Sequence, residues 1–243
     1  MDIKRISDNA TAYIYDDLDD YITSVFFIEC ETKIFIIDTF CGTKSMEPIL
    51  ERINESSIEK QVVIINTHSH WDHFWGNCSF KKNDIISHEL CRELINQSWD
   101  EQIREHGKFI LGKAEKHLPN ITFKEKIIFH NEGIEIFHSP GHTRDSISVF
   151  DQEEKILYVG DNLEKPIIHV EDADIGSYVK TLQNYLNYKP SKIVASHTLY
   201  LTEDDIEDTI DYLNNLLAKK EMNFQSQHME KIHRQNLRIC NEF

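Results

Sequence analysis

Apolar runs separated by polar turns predict β-strands and one helix in the first quarter of the chain. Strands are predicted at residues 11–15, 24–28, 33–37 and 61–66. The second and third of these strands form a hairpin through residues 29–32. Residues 44–57 carry apolar side chains at helical spacing, namely Met46, Ile49, Leu50 and Ile53. The strand at 61–66 is apolar at its centre, which is typical of a strand buried on both faces.

The second half of the chain returns to the same pattern. Strands are predicted at residues 126–130, 134–138, 146–150, 155–159 and 193–195. Amphipathic helices are predicted at residues 177–188 and 203–219, and Thr202 is placed to cap the second one. Residues 220–243 form a polar tail, predicted to be helical or loosely docked. No repeat or Gly/Pro-rich linker divides the chain, so residues 1–243 are predicted to be a single domain.

Residues 89–118 depart from this strand pattern. Their apolar side chains are interleaved with charges, which indicates two helical pieces interrupted near Gly107. The segment lies between two groups of candidate ligands. We expect a helical insertion here, which is either a lid over the active site or a peripheral addition.

Composition and charge narrow the class of partner. The chain has 26 basic and 42 acidic residues and a formal net charge of -16, which opposes binding to the phosphates of nucleic acid. No apolar run is long enough to span a membrane. A small-molecule substrate is therefore expected, and the oligomeric state stays open.

Cysteine usage and the N-terminal residues bear on the compartment. The five cysteines are odd in number and none forms a Cys-x-x-Cys pair, which favours reduced thiols. The first residues contain no apolar signal segment. A cytoplasmic location is expected.

The densest chemistry follows the strand at 61–66. His68-Ser69-His70-Trp71-Asp72-His73 places three imidazoles and one carboxylate within six residues. Imidazole and carboxylate are ligands of zinc, iron and manganese. A loop leaving the end of a buried strand would hold these groups in one small volume. We call residues 68–73 the metal loop.

Three more candidate ligands follow strands later in the chain. His142 lies in Ser139-Pro140-Gly141-His142-Thr143, Asp161 follows Val159-Gly160, and His197 follows Ala195-Ser196. Open α/β architectures tend to build sites at the carboxyl ends of strands. Together with the metal loop they supply five His and two Asp, enough to bind two metal ions.

From about residue 11 to about residue 200 the chain resembles the metallo-β-lactamase-fold hydrolase superfamily. The resemblance is carried by the metal loop, Pro140-Gly141-His142-Thr143, Gly160-Asp161 and Ser196-His197, in the order of that family. It implies an α+β fold, a four-layer αββα sandwich. The first metal would be held by His68, His70 and His142. The second would be held by Asp72, His73 and His197. Asp161 would bridge both metals, and Asp38 would hydrogen-bond the metal loop.

The resemblance also implies a reaction. Two divalent metal ions, zinc by expectation with iron or manganese as alternatives, would ionise a shared water, and the hydroxide would attack a carbonyl. Asp72 is the predicted catalytic residue, orienting the nucleophile and carrying a proton to the leaving group.

The ligand set narrows the substrate. Zinc β-lactamases of this fold lack the bridging carboxylate, whereas this chain has Asp161 and also His73. This combination resembles thioesterases such as glyoxalase II, lactonases and phosphoesterases. A thioester, lactone or related ester or amide is expected, although Glu164 stands where homoserine lactonases have Tyr. A phosphodiesterase or an iron-dependent oxidoreductase of the same fold is the alternative, and His70, where diiron relatives have Glu, favours hydrolysis.

Overall fold

We describe the protein from a computed structural model, which covers residues 1–19, 21–55 and 59–241. By the density of internal contacts the chain forms two compact units, Met1–Ile134 and Glu135–Phe243. We call them the first and the second unit.

The first sheet has seven strands in chain order. These are β1 (Asp2–Arg5), β2 (Ala10–Tyr15), β3 (Thr23–Glu29), β4 (Lys33–Ile37), β5 (Gln61–Ile65), β6 (Asp84–His88) and β7 (Ile121–Phe123). The first four strands pair antiparallel and the last four pair parallel, so both patterns meet at β4. Two parallel strands that are neighbours in a sheet need a crossover connection between them, which is usually a helix. The helices of this region are α1 (Glu47–Glu55), α2 (Trp71–Phe74) and α3 (Glu89–His106), with 3₁₀ turns at Thr43–Met46, Trp75–Phe80 and Gly107–Phe109.

The second sheet has five strands in the order β12-β11-β10-β9-β8. They are β8 (Lys126–Phe129), β9 (Ile134–His138), β10 (Ile147–Asp151), β11 (Ile156–Tyr158) and β12 (Lys192–Val194). Strand β10 pairs antiparallel with β11, and β11 pairs parallel with β12 through the crossover helix α4 (Ile175–Tyr188). Helices α5 (Glu203–Leu217) and α6 (Gln227–Asn241) complete the chain.

Each unit has its own hydrophobic core. In the first unit, apolar side chains of β3, β4 and β5 pack with Trp75 and Phe80, both almost fully buried. In the second unit, Leu157 of β11 packs with Tyr178 and Leu182 of α4 and with Leu213 of α5. Burial of these stripes is what holds the amphipathic helices to their sheet.

Most predicted elements are present with small shifts of their ends. The strands at 33–37 and 134–138 have the predicted bounds. The predicted helix at 44–57 forms as a 3₁₀ turn followed by α1, and its predicted end at 56–57 lies outside the described residues. The chain also forms β1, β6 and β7, which the pattern did not predict. These are short strands, and the five residues of β6 include only two that are strongly apolar, Ile85 and Ile86.

The segment 89–118 differs from its prediction in one respect. Its first piece is the continuous helix α3, but the second piece contains only a 3₁₀ turn. Beyond that turn the backbone pairs instead with residues 41–44: Leu111 N–H donates to the Cys41 carbonyl (2.9 Å), and Thr43 N–H donates to the Lys113 carbonyl (2.9 Å). These bonds replace the predicted helical ones. Whether the segment acts as a lid, and whether the chain is a single domain, stay predictions.

Among the described residues, no helix has both the length and the apolar character needed to cross a bilayer.

Candidate metal centre

The metal loop leaves the end of the buried strand β5 and turns directly into α2. His68, Asp72 and His73 are all at least 95% buried, and His70 is partly exposed. His73 N–H donates to the His70 carbonyl (3.0 Å), which closes the first turn of α2 and folds the loop back on itself. The local fold thus brings the three imidazoles and the carboxylate together, as the sequence predicted.

The side chains of the metal loop are packed closely enough to share metal ions. The ring of His68 lies 4.6 Å from the ring of His70 and 4.1 Å from the ring of His73, measured between centroids. His73 Nε2 lies 3.4 Å from Asp72 Oδ2. Neutral imidazole is the form that binds metal, through the lone pair of its unprotonated nitrogen.

Asp38 orients this loop, as predicted. Its carboxylate accepts hydrogen bonds from Thr67 N–H (2.8 Å) and from the Thr67 hydroxyl (2.7 Å), and lies 2.8 Å from His73 Nδ1. Because a carboxylate only accepts, His73 carries its hydrogen on Nδ1 and presents the Nε2 lone pair. Burial raises the pKa of Asp38 above its ordinary value, and the contacts with His73 and Thr67 oppose that rise.

An amide pair beneath the loop was not predicted. Asn66 and Asn77 exchange hydrogen bonds through their side chains (3.0 and 2.8 Å), and Thr39 donates to Asn77 Oδ1 (2.9 Å). Thr39 N–H also donates to the His73 carbonyl (2.8 Å). A Cβ at the neighbouring Gly76 would lie 2.1 Å from the Thr39 carbonyl oxygen, so only glycine fits there. In the sequence, the amide pair was indicated only by Asn66, which stands just before the candidate ligands.

The C-terminal end of α3 contacts the metal loop. Gln102 Nε2 donates to the Ser69 carbonyl (3.0 Å). The Trp71 ring stacks on His106 at 4.8 Å and on Phe109 at 5.2 Å. Trp71 is therefore packed against α3 and the turn that follows it, and the segment 89–118 is attached to the loop that carries the ligands.

The second unit carries the other three candidate ligands. His142 and Asp161 are more than 90% buried, and His197 is partly exposed. Asp161 Oδ2 lies 2.9 Å from His197 Nε2 and 3.9 Å from His142 Nε2. Each imidazole thus directs its Nε2 toward the same oxygen of Asp161, which is the arrangement expected for ligands that share a bridging carboxylate.

Neighbouring groups fix the orientation of His142. Its Nδ1 lies 2.8 Å from the His169 carbonyl oxygen, so Nδ1 donates and Nε2 keeps its lone pair. Its backbone N–H donates to Asn162 Oδ1 (2.8 Å), and Asn162 Nδ2 donates to the Ser139 carbonyl (2.7 Å). A Cβ at Gly141 would lie 2.6 Å from Asn162 Oδ1, which explains the glycine before this ligand. Asn162 directly follows Asp161, but its type alone did not indicate this role.

The side chain of His169 pairs with Glu164, with Nδ1 and Oε2 2.7 Å apart. That hydrogen bond raises the pKa of His169, and burial opposes the rise. Glu164 also lines a cavity of about 400 Å³ in the second unit, whose walls include Leu163, Ile168 and Tyr212. The volume lies within the range of small-molecule pockets.

Each unit thus holds a cluster of predicted ligands. The first unit brings together His68, His70, Asp72 and His73, and the second brings together His142, Asp161 and His197. In each cluster the donor atoms, their burial and their hydrogen-bond partners suit divalent metals that accept nitrogen and oxygen ligands. How the seven residues divide between metal ions stays a prediction.

A family model described as the metallo-beta-lactamase superfamily matches residues 18–197 of the chain. A hydroxyacylglutathione hydrolase from Pelagibacter ubique (strain HTCC1062) is 27% identical over 123 residues, covering 48% of this chain and 42% of that protein. The chain therefore spans less than half the length of this curated relative.

Solved structures resemble the chain over most of its length. A crystal structure of VMB-1 matches with a TM-score of 0.72 and 19% identity, covering 89% of this chain and 97% of that one. A metallo-beta-lactamase from Pontibacter korlensis matches with a TM-score of 0.68 and 19% identity, covering 88% and 99%. At such identity the similarity concerns the fold alone. It confirms the predicted αββα fold of two mixed sheets with helices.

Proposed function

Because the chain belongs to the metallo-β-lactamase superfamily, we propose that it is a metal-dependent hydrolase with a binuclear centre. The proposed substrate carries an ester-like carbonyl: a thioester, a lactone or a related ester or amide. The complete set of His and Asp donors, with His73 and His142 each oriented by a specific partner, is the observation that carries this proposal.

The proposed division of ligands follows the family pattern. His68, His70 and His142 would hold the first metal, Asp72, His73 and His197 would hold the second, and Asp161 would be a ligand of both. The structure supports the parts of this assignment that lie within each unit. The Nε2 atoms of His142 and His197 face the same oxygen of Asp161. Asp38 accepts from His73 Nδ1, so the lone pair of His73 is on Nε2. Zinc is the metal proposed, since imidazole nitrogen and carboxylate oxygen are among its usual ligands in proteins.

When bound, two such metals supply an ionised water near neutral pH and polarise the substrate carbonyl. The protein groups do the rest. Asp72 is held by the Thr23 hydroxyl (3.2 Å) and is buried, so its carboxylate keeps one orientation. We assign it the alignment of the attacking water and the transfer of its proton to the leaving group. Asp38 and the His169 carbonyl keep two ligand imidazoles from rotating.

Two features favour a thioester or lactone over a β-lactam. Asp161 and His73 complete a ligand set that zinc β-lactamases of this fold do not share. The partial similarity to a hydroxyacylglutathione hydrolase also supports a thioester. The likeness to solved metallo-β-lactamases concerns the fold and supports no particular substrate.

The test is a substrate panel with protein loaded separately with zinc, iron and manganese. We expect hydrolysis of thioesters or lactones and little of β-lactams. If the protein mainly hydrolyses phosphodiesters, the proposed substrate class of carbonyl compounds is wrong and a phosphodiester takes its place. A chain that holds one iron and hydrolyses none of these compounds would overturn the proposal.

The variants Asp72→Asn and Asp161→Asn test the mechanism. Each should lower kcat at least about 100-fold, because each removes a carboxylate that acts on the reacting water or holds the metals. Asp151→Asn is the matched control. Asp151 is buried in the second unit, and its Oδ1 accepts from Glu153 and Glu154 N–H (both 3.0 Å), which an amide oxygen can also do. Full activity in Asp72→Asn or Asp161→Asn would reject the assigned roles.

A further inference from the structure

The segment 168–171 holds the metal ligand His142 although it belongs to no helix or strand. His142 Nδ1 donates to the His169 carbonyl (2.8 Å), and Glu171 N–H donates back to the His142 carbonyl (3.1 Å). His142 is therefore attached at both its ring and its backbone. The position of the His169 carbonyl sets the direction of the ring, because Nδ1 follows that oxygen.

On its other side, the backbone of this segment is hydrogen-bonded by a side chain from the C-terminal helix. Asn236 of α6 donates from Nδ2 to the Ile168 carbonyl (2.8 Å) and accepts at Oδ1 from Val170 N–H (3.0 Å). The two bonds flank His169 along the chain. Asn236 is 1% exposed, and its Nδ2 also donates to the Tyr212 hydroxyl (2.9 Å).

We propose that Asn236 is a positioning residue of the metal centre, and that α6 contributes to the site through this side chain. The amide pairs with the backbone of Ile168 and Val170 as a neighbouring strand would, and so fixes the His169 carbonyl that orients His142. Only a side chain with one donor and one acceptor on the same planar group can make both bonds. The inference rests on the proposed function, because it requires His142 to be a ligand.

Two substitutions separate this role from simple packing. Asn236→Asp keeps the size and one acceptor for Val170, but places a carboxylate oxygen against the Ile168 carbonyl, which repels it. Asn236→Ala removes both bonds. Ile232 lies one turn before Asn236 on α6 and is 2% exposed. Ile232→Ala therefore removes a buried side chain but no hydrogen bond to the segment 168–171. Tyr212→Phe removes the third contact of Asn236, together with the contact of the Tyr212 hydroxyl with His233 Nδ1 (3.1 Å).

The measurement is the affinity for each of two zinc equivalents, by competition with a chromophoric chelator, alongside the visible spectrum of the Co²⁺-loaded protein. Thermal unfolding of the metal-free proteins reports the loss of stability. Asn236→Asp and Asn236→Ala should weaken one equivalent about 10-fold or more and alter the Co²⁺ spectrum. Ile232→Ala and Tyr212→Phe should leave both unchanged, even where Ile232→Ala lowers the melting temperature as much.

Each other outcome decides against the inference. If the unmodified protein binds two equivalents and the Asn236 variants bind them equally well, the positioning role is wrong and the proposed function stands. If Ile232→Ala weakens metal binding as much as Asn236→Ala, the effect comes from packing. If the unmodified protein binds no metal, both the inference and the proposed function fail.

Discussion

Asp38 illustrates how much of a metal site is decided by one residue outside the ligand set. It follows β4 and adopts a positive φ of 63°, a conformation that Asp and Asn tolerate better than most residues. From this position its two oxygens reach both Thr67 and His73. The strained backbone therefore places a carboxylate where an ordinary strand end would not.

The substitution Asp38→Asn tests this role. Asn fits the same backbone and keeps one acceptor oxygen, but it removes the charge that favours a donating Nδ1 on His73. We expect zinc affinity to fall about 10- to 100-fold with little loss of fold, measured by chelator competition. Asp84→Asn, at the partly exposed start of β6, is the control. Unchanged affinity in Asp38→Asn would mean that Thr67 alone orients the loop.

At the same scale, the candidate ligands are easier to recognise in the sequence than the residues that orient them. The metal loop is local, with four donors in six residues, and its order with His142, Asp161 and His197 matched a known family. Asn77, Asn162 and Asn236 each act through a contact that only the fold creates. Asn236 meets the Ile168 carbonyl 68 residues away along the chain, and nothing around it in the sequence indicates this.

At the scale of elements, hydrophobic periodicity predicted the long or fully apolar pieces. The apolar run in β5 indicated the strand that leads into the metal loop, and the stripe of α5 with its Thr202 cap was also visible. Strands β6 and β7 were missed because short strands with few apolar residues carry little periodicity. The second piece of 89–118 was mistaken for a helix because its backbone partners, residues 41–44, are remote in sequence.

The attachment of α3 to the metal loop makes the lid hypothesis testable. Gln102 and His106 contact Ser69 and Trp71, so changes in the loop should reach α3. If residues 89–118 act as a lid, their amide hydrogen exchange should slow when a non-hydrolysable substrate analogue binds, with α5 as the internal reference. Exchange that is the same with and without the analogue would favour a fixed insertion.

At the scale of the whole molecule, a buried ion pair of the first unit makes the stability of the protein depend on pH. Glu132 is 7% exposed and accepts from Lys33 (2.9 Å) and from Thr32 (2.6 Å). Burial raises the pKa of Glu132, but these two partners outweigh it and hold the pKa below its ordinary value of 4.5. A lowered folded pKa stabilises the protein above pH 4.5, and this contribution is lost as the pH falls through the lowered value.

The variant Glu132→Gln should therefore unfold more readily than the unmodified protein at neutral pH, and the difference should shrink below pH 4.5. Denaturant unfolding of metal-free protein at a series of pH values measures this. A stability difference that stays constant down to pH 2 to 3 would show that the carboxylate charge of Glu132 contributes nothing.

The chain has a net charge of -16, and bound cations would offset buried carboxylates such as Asp72 and Asp161. The most direct test is the metal content of the purified chain, measured together with thioester hydrolysis before and after chelation. We predict two divalent metal ions per chain, hydrolysis that disappears on their removal, and its return on adding zinc. A chain that binds no more than one metal ion, or that hydrolyses thioesters equally well without metal, would contradict the binuclear hydrolase.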